Sequence, residues 1–496
     1  MSHRFLSYVF LMVLVGALLV GCAVPATPAP AAPTAPAVAP AAQAPAPTVA
    51  PAAAASPAAT AAAQPTEAPK AAAPATKAKF PPGKMTGWGY GQPAFYDQFL
   101  NGFIQRNPDI AAGVTVETLP TKGEEEVRTK AMLAMTSGTP NDLPDYLSTA
   151  PVSMQAMADA GILLDVTQYL ESFKDRLVPG TLDQMYYKGK LWCLPRSLRP
   201  QILFYNKDIF DKYNIDPAEM ATFEGYLAVG KKLRDASKGE VFLSYVDPSD
   251  RTWRYWGRRG LMPQANARIW DDQGNVVIDQ DPGTKVALGY LETLLKEKLL
   301  YNSAILQPAL YEATRQGKVA TYYIGAFYDE FTRANLSDMA GKWRVMKAPV
   351  FKDIGVGGAP VIEIQCITNK PNAPYADLYK AMWEDYNFNA PAREAWTTDM
   401  VNQKGAYGNP IAQELLVQPF WKQPEPYYGG QSFREWEGIG LQNPSVNMRV
   451  TQKDAEADTI ITAEVEKVVA GNQTMDQAIA NMGKNLRDKI GKAPAK

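Results

Sequence analysis

The chain of 496 residues is expected to fold as an α/β protein of two lobes, each a mainly parallel sheet flanked by helices. Three observations lead there. From about residue 84, stretches with strand-like alternation and stretches with helical spacing follow one another, the order that builds parallel sheets with helices on their faces. Ordinary globular composition runs from Phe80 to Lys496, too long a span for one hydrophobic core. The segment before it, from Ala23, is low in complexity and cannot contribute to that core.

Residues 1–22 read as an export signal: Arg4, an apolar run from Phe5, then Leu19-Val20-Gly21-Cys22. The run has the length of a signal segment and turns abruptly into Ala and Pro. Its last four residues resemble a bacterial lipobox. That implies cleavage before Cys22 and a lipidated Cys22 that anchors an extracytoplasmic protein to the cell membrane. An ordinary secretion signal with an incidental cysteine is the alternative. Residues 23–80 are almost wholly Ala, Pro and Thr, a disordered linker that proline keeps extended over on the order of 100–180 Å. A processed propeptide is the other reading of this segment.

In the folded part, Lys84-Met-Thr-Gly-Trp88 is a short strand. Pro93 to Arg106 follows as a helix with Phe95, Phe99 and Phe103 at helical spacing, stopped by Asn107-Pro108. Val114 to Leu119 alternates as a strand, and Glu124 to Ser137 is a helix ending at Gly138. Leu191 to Leu194 reads as a strand ended by Pro195, and Leu203 to Asn206 as the start of another. Asp281-Pro282 opens a helix with an Asp cap and with Val286, Leu288, Leu291 and Leu295 as its apolar positions. Ala457 to Ala470 carries Ile461, Val465 and Val468 on one face, and Thr474-Met-Asp-Gln477 is a capping box for the last helix.

Composition narrows the function. Lys and Arg number 50 against 51 Asp and Glu, so no basic stripe for nucleic acid is expected. The single histidine is His3, inside the signal, which removes Ser-His-Asp and Cys-His catalysis from the mature chain and its commonest transition-metal ligand. Cys193 and Cys366 each lie in an apolar run. Two buried thiols are the first expectation, with a disulfide the alternative in an oxidising compartment. No cofactor and no metal are expected. Asp271-Asp-Gln-Gly-Asn275 lacks the later Glu of a calcium loop and reads as a turn between Trp270 and Val276. Gly355-Val-Gly-Gly lacks the context of a phosphate loop.

The order of segments resembles the extracellular solute-binding proteins of ABC importers, most closely the sugar-binding group in its lipoprotein form. The resemblance spans Met85 to Gly491. It rests on Met85-Thr-Gly-Trp-Gly-Tyr-Gly with Asn107-Pro-Asp-Ile; Ala134-Met-Thr-Ser-Gly-Thr-Pro with Leu143-Pro-Asp-Tyr-Leu and Ala160-Gly-Ile-Leu-Leu-Asp-Val; Tyr187-Lys-Gly-Lys-Leu-Trp-Cys-Leu-Pro with Leu203-Phe-Tyr-Asn-Lys-Asp-Ile-Phe; Gln316-Gly-Lys-Val-Ala with Gly325-Ala-Phe-Tyr; and Tyr428-Gly-Gly-Gln. It implies a type II-like periplasmic-binding fold with three hinge crossings, near Arg196–Ile202, Ala348–Gly358 and Val401–Pro410. Residues 81–198 with 350–405 would form one lobe, and 199–349 with 406–496 the other. The implied function is capture of a carbohydrate-like solute by a monomeric receptor that closes on it and delivers it to the permease subunits of an ABC transporter.

A sugar ring presents hydroxyls at its edge and CH groups on its faces, so aromatic rings and polar side chains are the groups to seek. The candidates are Trp88, Tyr90 and Gln92 after the first strand; Ser148 and Thr149; Trp253, placed three residues from Trp256 so that one helical face carries both; Phe327, where the sugar-binding relatives place a stacking aromatic, with Tyr328 beside it; and Tyr428 and Gln431 in the glycine-rich loop. Tyr427 stands between packing and binding. At the first crossing stand Arg196, Arg199 and Gln201. Many relatives carry an acidic residue where this chain has Arg199, which leaves room for a uronate or another anionic sugar; pairing of Arg199 with a carboxylate such as Glu124, Glu125 or Glu126 is the alternative. A surface glycosidase and a stalk-mounted adhesin are the competing functions.

Overall fold

A computed structural model describes residues 79–183, 185–354, 360–405, 407–441 and 449–494. The signal with Cys22, the Ala/Pro segment up to residue 78 and the Gly355-Val-Gly-Gly run lie outside the described residues. Among the described residues no helix is long and apolar enough to cross a membrane.

The first lobe is built on β1 (Gly83–Gly89), which pairs in parallel with β2 (Val114–Pro120) and β3 (Tyr146–Thr149). Between them, α1 (Pro93–Arg106) buries Tyr96, Phe99, Leu100 and Phe103 against the sheet, since helical spacing gathers them on one stripe. Helices α2 (Glu124–Thr136) and α3 (Pro151–Asp159) begin where β2 and β3 end. Their N-termini therefore stand together beyond the carboxyl ends of the strands, the place where open α/β sheets bind ligands.

The two expected strands on either side of Pro195 are one. Strand β4 runs from Leu194 to Asn206 through both Pro195 and Pro200. Its first half pairs antiparallel with β9 (Pro360–Ile367), and its second half lies between β7 (Thr321–Gly325) and β8 (Trp343–Lys347). Pro195 sits at a bulge, where a ladder N–H is dispensable, so it does not end the strand. The sheet order is β8-β4-β9-β3-β1-β2 with β7 on the other side of β4. Among the described strands, parallel ladders join β1, β2 and β3 and the pair β5 (Ser244–Val246) and β6 (Leu300–Asn302); the strands that pass between lobes pair antiparallel because the chain leaves and returns.

Cys193 and Cys366 form a disulfide, with Cα atoms 4.0 Å apart, in place of the two free thiols. Pairing of Leu194 with Gln365 sets the two side by side, a proximity that neither local run encodes. At the third crossing the chain passes the junction at Tyr407, whose carbonyl accepts from Arg199. It then returns to the first lobe: Ala412 bridges Leu177, and Gln413 Nε2 donates to the Leu177 carbonyl at 2.6 Å. Pro426–Tyr428 then packs beside β8.

In the second lobe, α4 (Pro282–Lys296) is capped by Asp281, whose side chain accepts from the Thr284 N–H. Val286 is 42% exposed and the core stripe is Ala287, Leu288, Leu291 and Leu294; spacing from Val286 starts the stripe one residue early. Helix α5 (Tyr328–Asn335) follows β7, α6 (Phe433–Gly440) packs on β4, and α7 (Asp454–Val469) with α8 (Met475–Lys489) closes the chain. The Thr474–Gln477 capping box is present in both directions.

Candidate functional site

A cavity of about 560 Å³ opens between the lobes. The N-terminal turns of α2 and α3 form one wall, with Glu124, Pro151 and Val152, and Ile362 of β9 also lines the cavity. The opposite wall is a π-helix, Thr252–Leu261, with Trp253, Arg258 and Arg259, together with Asp458, Thr459 and Thr462 of α7.

The π-helix is anchored at its start by Thr252, whose hydroxyl accepts from the Asp247 N–H and donates to the Asp247 carbonyl. Gly257 lies against the Trp253 ring so closely that a Cβ there would stand 2.3 Å from it. Trp253 Nε1 donates to Asp458 Oδ1 at 2.7 Å, and Arg258 Nη1 donates to the same oxygen at 2.9 Å. Arg258 also pairs with the buried Asp454. Burial pushes the Asp458 carboxyl up, with Arg258 pulling against it. Arg259 reaches across the gap to Glu124 of the first lobe at 3.7 Å. Trp256 does not share the Trp253 face: its Nε1 donates to the Tyr245 carbonyl at 3.1 Å within the core. The wider winding of a π-helix breaks the three-residue spacing of an α-helix.

Strand β4 bulges between Pro195 and Ser197, opposite Ile364 and Glu363. The extra residue is Arg196, and a bulge re-aims the side chain it carries. Its Nη2 donates to Glu363 Oε2 at 2.6 Å. Burial alone would raise the Glu363 carboxyl; Arg196 and Arg199, with the Ser197 hydroxyl, bring it down to about 2. Tyr90 stands in the same region. Burial and then Glu124 push its phenol up, while Arg259 opposes them, so it answers to groups of both lobes.

The sequence candidates divide. Trp253 lines the cavity. Phe327 is half-buried at the end of β7, its ring 5.6 Å from that of Tyr255 on the π-helix. Trp88, Tyr90 and Gln92 are half-buried where β1 gives way to α1. Ser148 is half-buried, and the buried Thr149 hydroxyl has no hydrogen-bond partner among the described residues.

Four candidates are turned away from the cleft. Tyr328 is fully buried between Phe204 and Tyr322, because the turn that presents Phe327 sends its neighbour to the opposite side. Tyr428 is fully buried, and its hydroxyl donates to Asp329 Oδ1 at 2.6 Å. The Gln431 amide is spent on Val345, accepting from its N–H at 2.8 Å and donating to its carbonyl at 3.1 Å. Arg199 is 1% exposed and held by Glu437 at 2.9 Å, the Tyr407 carbonyl and the Ala326 carbonyl. Its partner is thus a carboxylate, though none of Glu124, Glu125 and Glu126, and it is not free for an anionic sugar. Tyr427 likewise donates inward, to the Thr332 carbonyl at 2.9 Å.

Sequence reasoning missed Arg258, Arg259, Asp458, Thr459 and Thr462 as cleft residues. The adjacent arginines after an aromatic run, and the threonines on either side of the Ile460-Ile461 pair, are the signals that mark them.

Residues 103–383 match a family described as bacterial extracellular solute-binding protein. An arabinooligosaccharide-binding protein of Halalkalibacterium halodurans is 23% identical over 352 residues, 64% of this chain and 71% of that protein. One from Bacillus subtilis is 23% identical over 266 residues, 49% of this chain and 59% of that protein. Among solved structures, an ABC transporter associated binding protein from B. animalis subsp. lactis, in complex with β-1,6-galactobiose, has a TM-score of 0.69 at 19% identity and covers 85% of this chain and 100% of that one. The galacto-N-biose-/lacto-N-biose I-binding protein from Bifidobacterium longum has a TM-score of 0.65 at 17% identity over 83% of this chain and 99% of that one. These likenesses establish the two-lobed fold. With a family match over more than half its length, the chain belongs to the bacterial extracellular solute-binding proteins.

Proposed function

We propose that the chain is the receptor of an ABC transporter: it captures a carbohydrate-like solute between its lobes and delivers it to membrane permease subunits, without converting it. The observation that carries this reading is the cavity itself, where the hydrogen-bonding groups of Arg258, Arg259 and Asp458 stand opposite Glu124 of the other lobe and the almost fully buried Trp253 forms part of the wall. An aromatic wall residue and a surround of donors and acceptors suit a pyranose or furanose. Sugar-binding relatives and structural neighbours support the class. The lobes are read as 81–198 with 350–416 and 199–349 with 426–496. The receptor works as a monomer outside the cytoplasm, tethered through a lipid on Cys22 and held off the membrane by the Ala/Pro segment.

Thermal unfolding with a panel of arabino-oligosaccharides, β-1,6-galactobiose, lacto-N-biose, maltose and a uronate tests the reading. A bound sugar at a hundred times its Kd stabilises the fold by about 2.7 kcal/mol, a shift of several degrees in Tm. A neutral sugar is expected to give that shift. A panel with no response defeats the carbohydrate reading.

A further inference from the structure

Gln201 lies in the middle of β4, paired with Gly325 at the end of β7. It is 1% exposed, and neither Oε1 nor Nε2 has a hydrogen-bond partner among the described residues. Buried amides are almost always paired, because an unpaired one forfeits its hydration. The space around it is shared with the Phe327 ring. A Cβ built on Gly325 would stand 2.8 Å from that ring and 3.9 Å from Gln201 Nε2. Phe327 is half-buried and is backed by Tyr255. Glu330, one helical turn beyond Phe327, is half-buried as well; burial first, and Glu363 with Asp329 in addition, push its carboxyl up to about 8 against the pull of Arg199 and Arg196.

We propose that Gln201 is a ligand-binding, specificity-determining residue, whose amide takes neighbouring hydroxyls of a sugar ring that rests its CH face on Phe327. An amide offers a donor and an acceptor side by side, and vicinal hydroxyls answer both. The bare α-carbon of Gly325 lets the Phe327 ring lie against the end of β7 beside Gln201. The assignment rests on the receptor reading, and it makes the crossing strand part of the ligand site.

Gln201→Met keeps the volume and removes both polar atoms. In the full-length chain its sugar-free form is expected to melt above the wild type, since an unanswered amide is gone. Its Kd for arabinotriose or β-1,6-galactobiose, by titration calorimetry, is expected to rise about tenfold to a hundredfold. Gln201→Asn keeps the amide but withdraws it by one methylene; affinity should fall without the gain in Tm. Binding by Gln201→Met within about threefold of wild type, or a sugar-free Tm below wild type because the amide is satisfied from inside the protein, overturns the assignment. A wild type that binds neither sugar counts against the receptor reading instead, and the sugar-free comparison still decides the amide.

Discussion

Arg196 and Glu363 meet at the one point where the ladder between β4 and β9 loses step. Holding Glu363 at about 2, below its ordinary 4.5, means that the folded state favours the carboxylate. The resulting stability is fully present above pH 4.5 and is lost as pH falls towards 2. Unfolding of the wild type in urea between pH 5 and 2.5 is therefore expected to weaken more steeply than that of Glu363→Gln, which lacks this carboxylate. Parallel curves would show that the pair is not the acid-sensitive contact. At this scale the sequence was a partial guide. Phe327 and Tyr328 are adjacent letters of the same chemistry, and only the direction of the turn into α5 separates a half-buried ring from a fully buried one. Arg199 and Glu437 lie 238 residues apart, and no local pattern announces such a partnership. Gln431 looked free because its loop is rich in glycine, yet that same loop lets it lie along β8 and bond as a strand would.

Helices with their own punctuation were legible: an Asp cap, a capping box and a proline at the first turn act within four residues, so they survive any tertiary context. The π-helix was not, because its winding is set by what surrounds it. Its aromatic run was visible, and its split into Trp253 at the cleft and Trp256 in the core was not. Gly257 is the weak point of this element. With a Cβ 2.3 Å from the Trp253 ring, Gly257→Ala must push that ring towards the cavity or distort the turn. Overpacking of this kind costs about 1–3 kcal/mol. The variant is expected to show that loss in chemical denaturation together with weaker sugar binding by calorimetry; a variant matching wild type in both would mean that Trp253 has room to give.

For the whole molecule, two long-range facts were not decided by the sequence: the disulfide between Cys193 and Cys366, which stood only as the alternative to two free thiols, and the single strand that replaces two. The alternation that indicates two α/β lobes is periodic and local, whereas a cross-strand pairing is decided only when distant segments meet. The proposed tether is also a property of the whole chain. Cys22→Ser is expected to move the protein from the membrane fraction to the soluble fraction on cell fractionation without altering sugar binding; continued sedimentation with membranes would leave the lipid anchor without support.

Strand β4 acts as a ruler common to both halves of the protein. Side chains alternate along it two by two, so one extra residue between Leu198 and Gln201 would turn every later side chain onto the opposite face. Phe204 would leave its place against Tyr328 while the half before the insertion stayed as it was. Two extra residues would restore the faces but lengthen the neck between the halves. Length along this one segment is thus constrained more tightly than the identity of the side chains it carries.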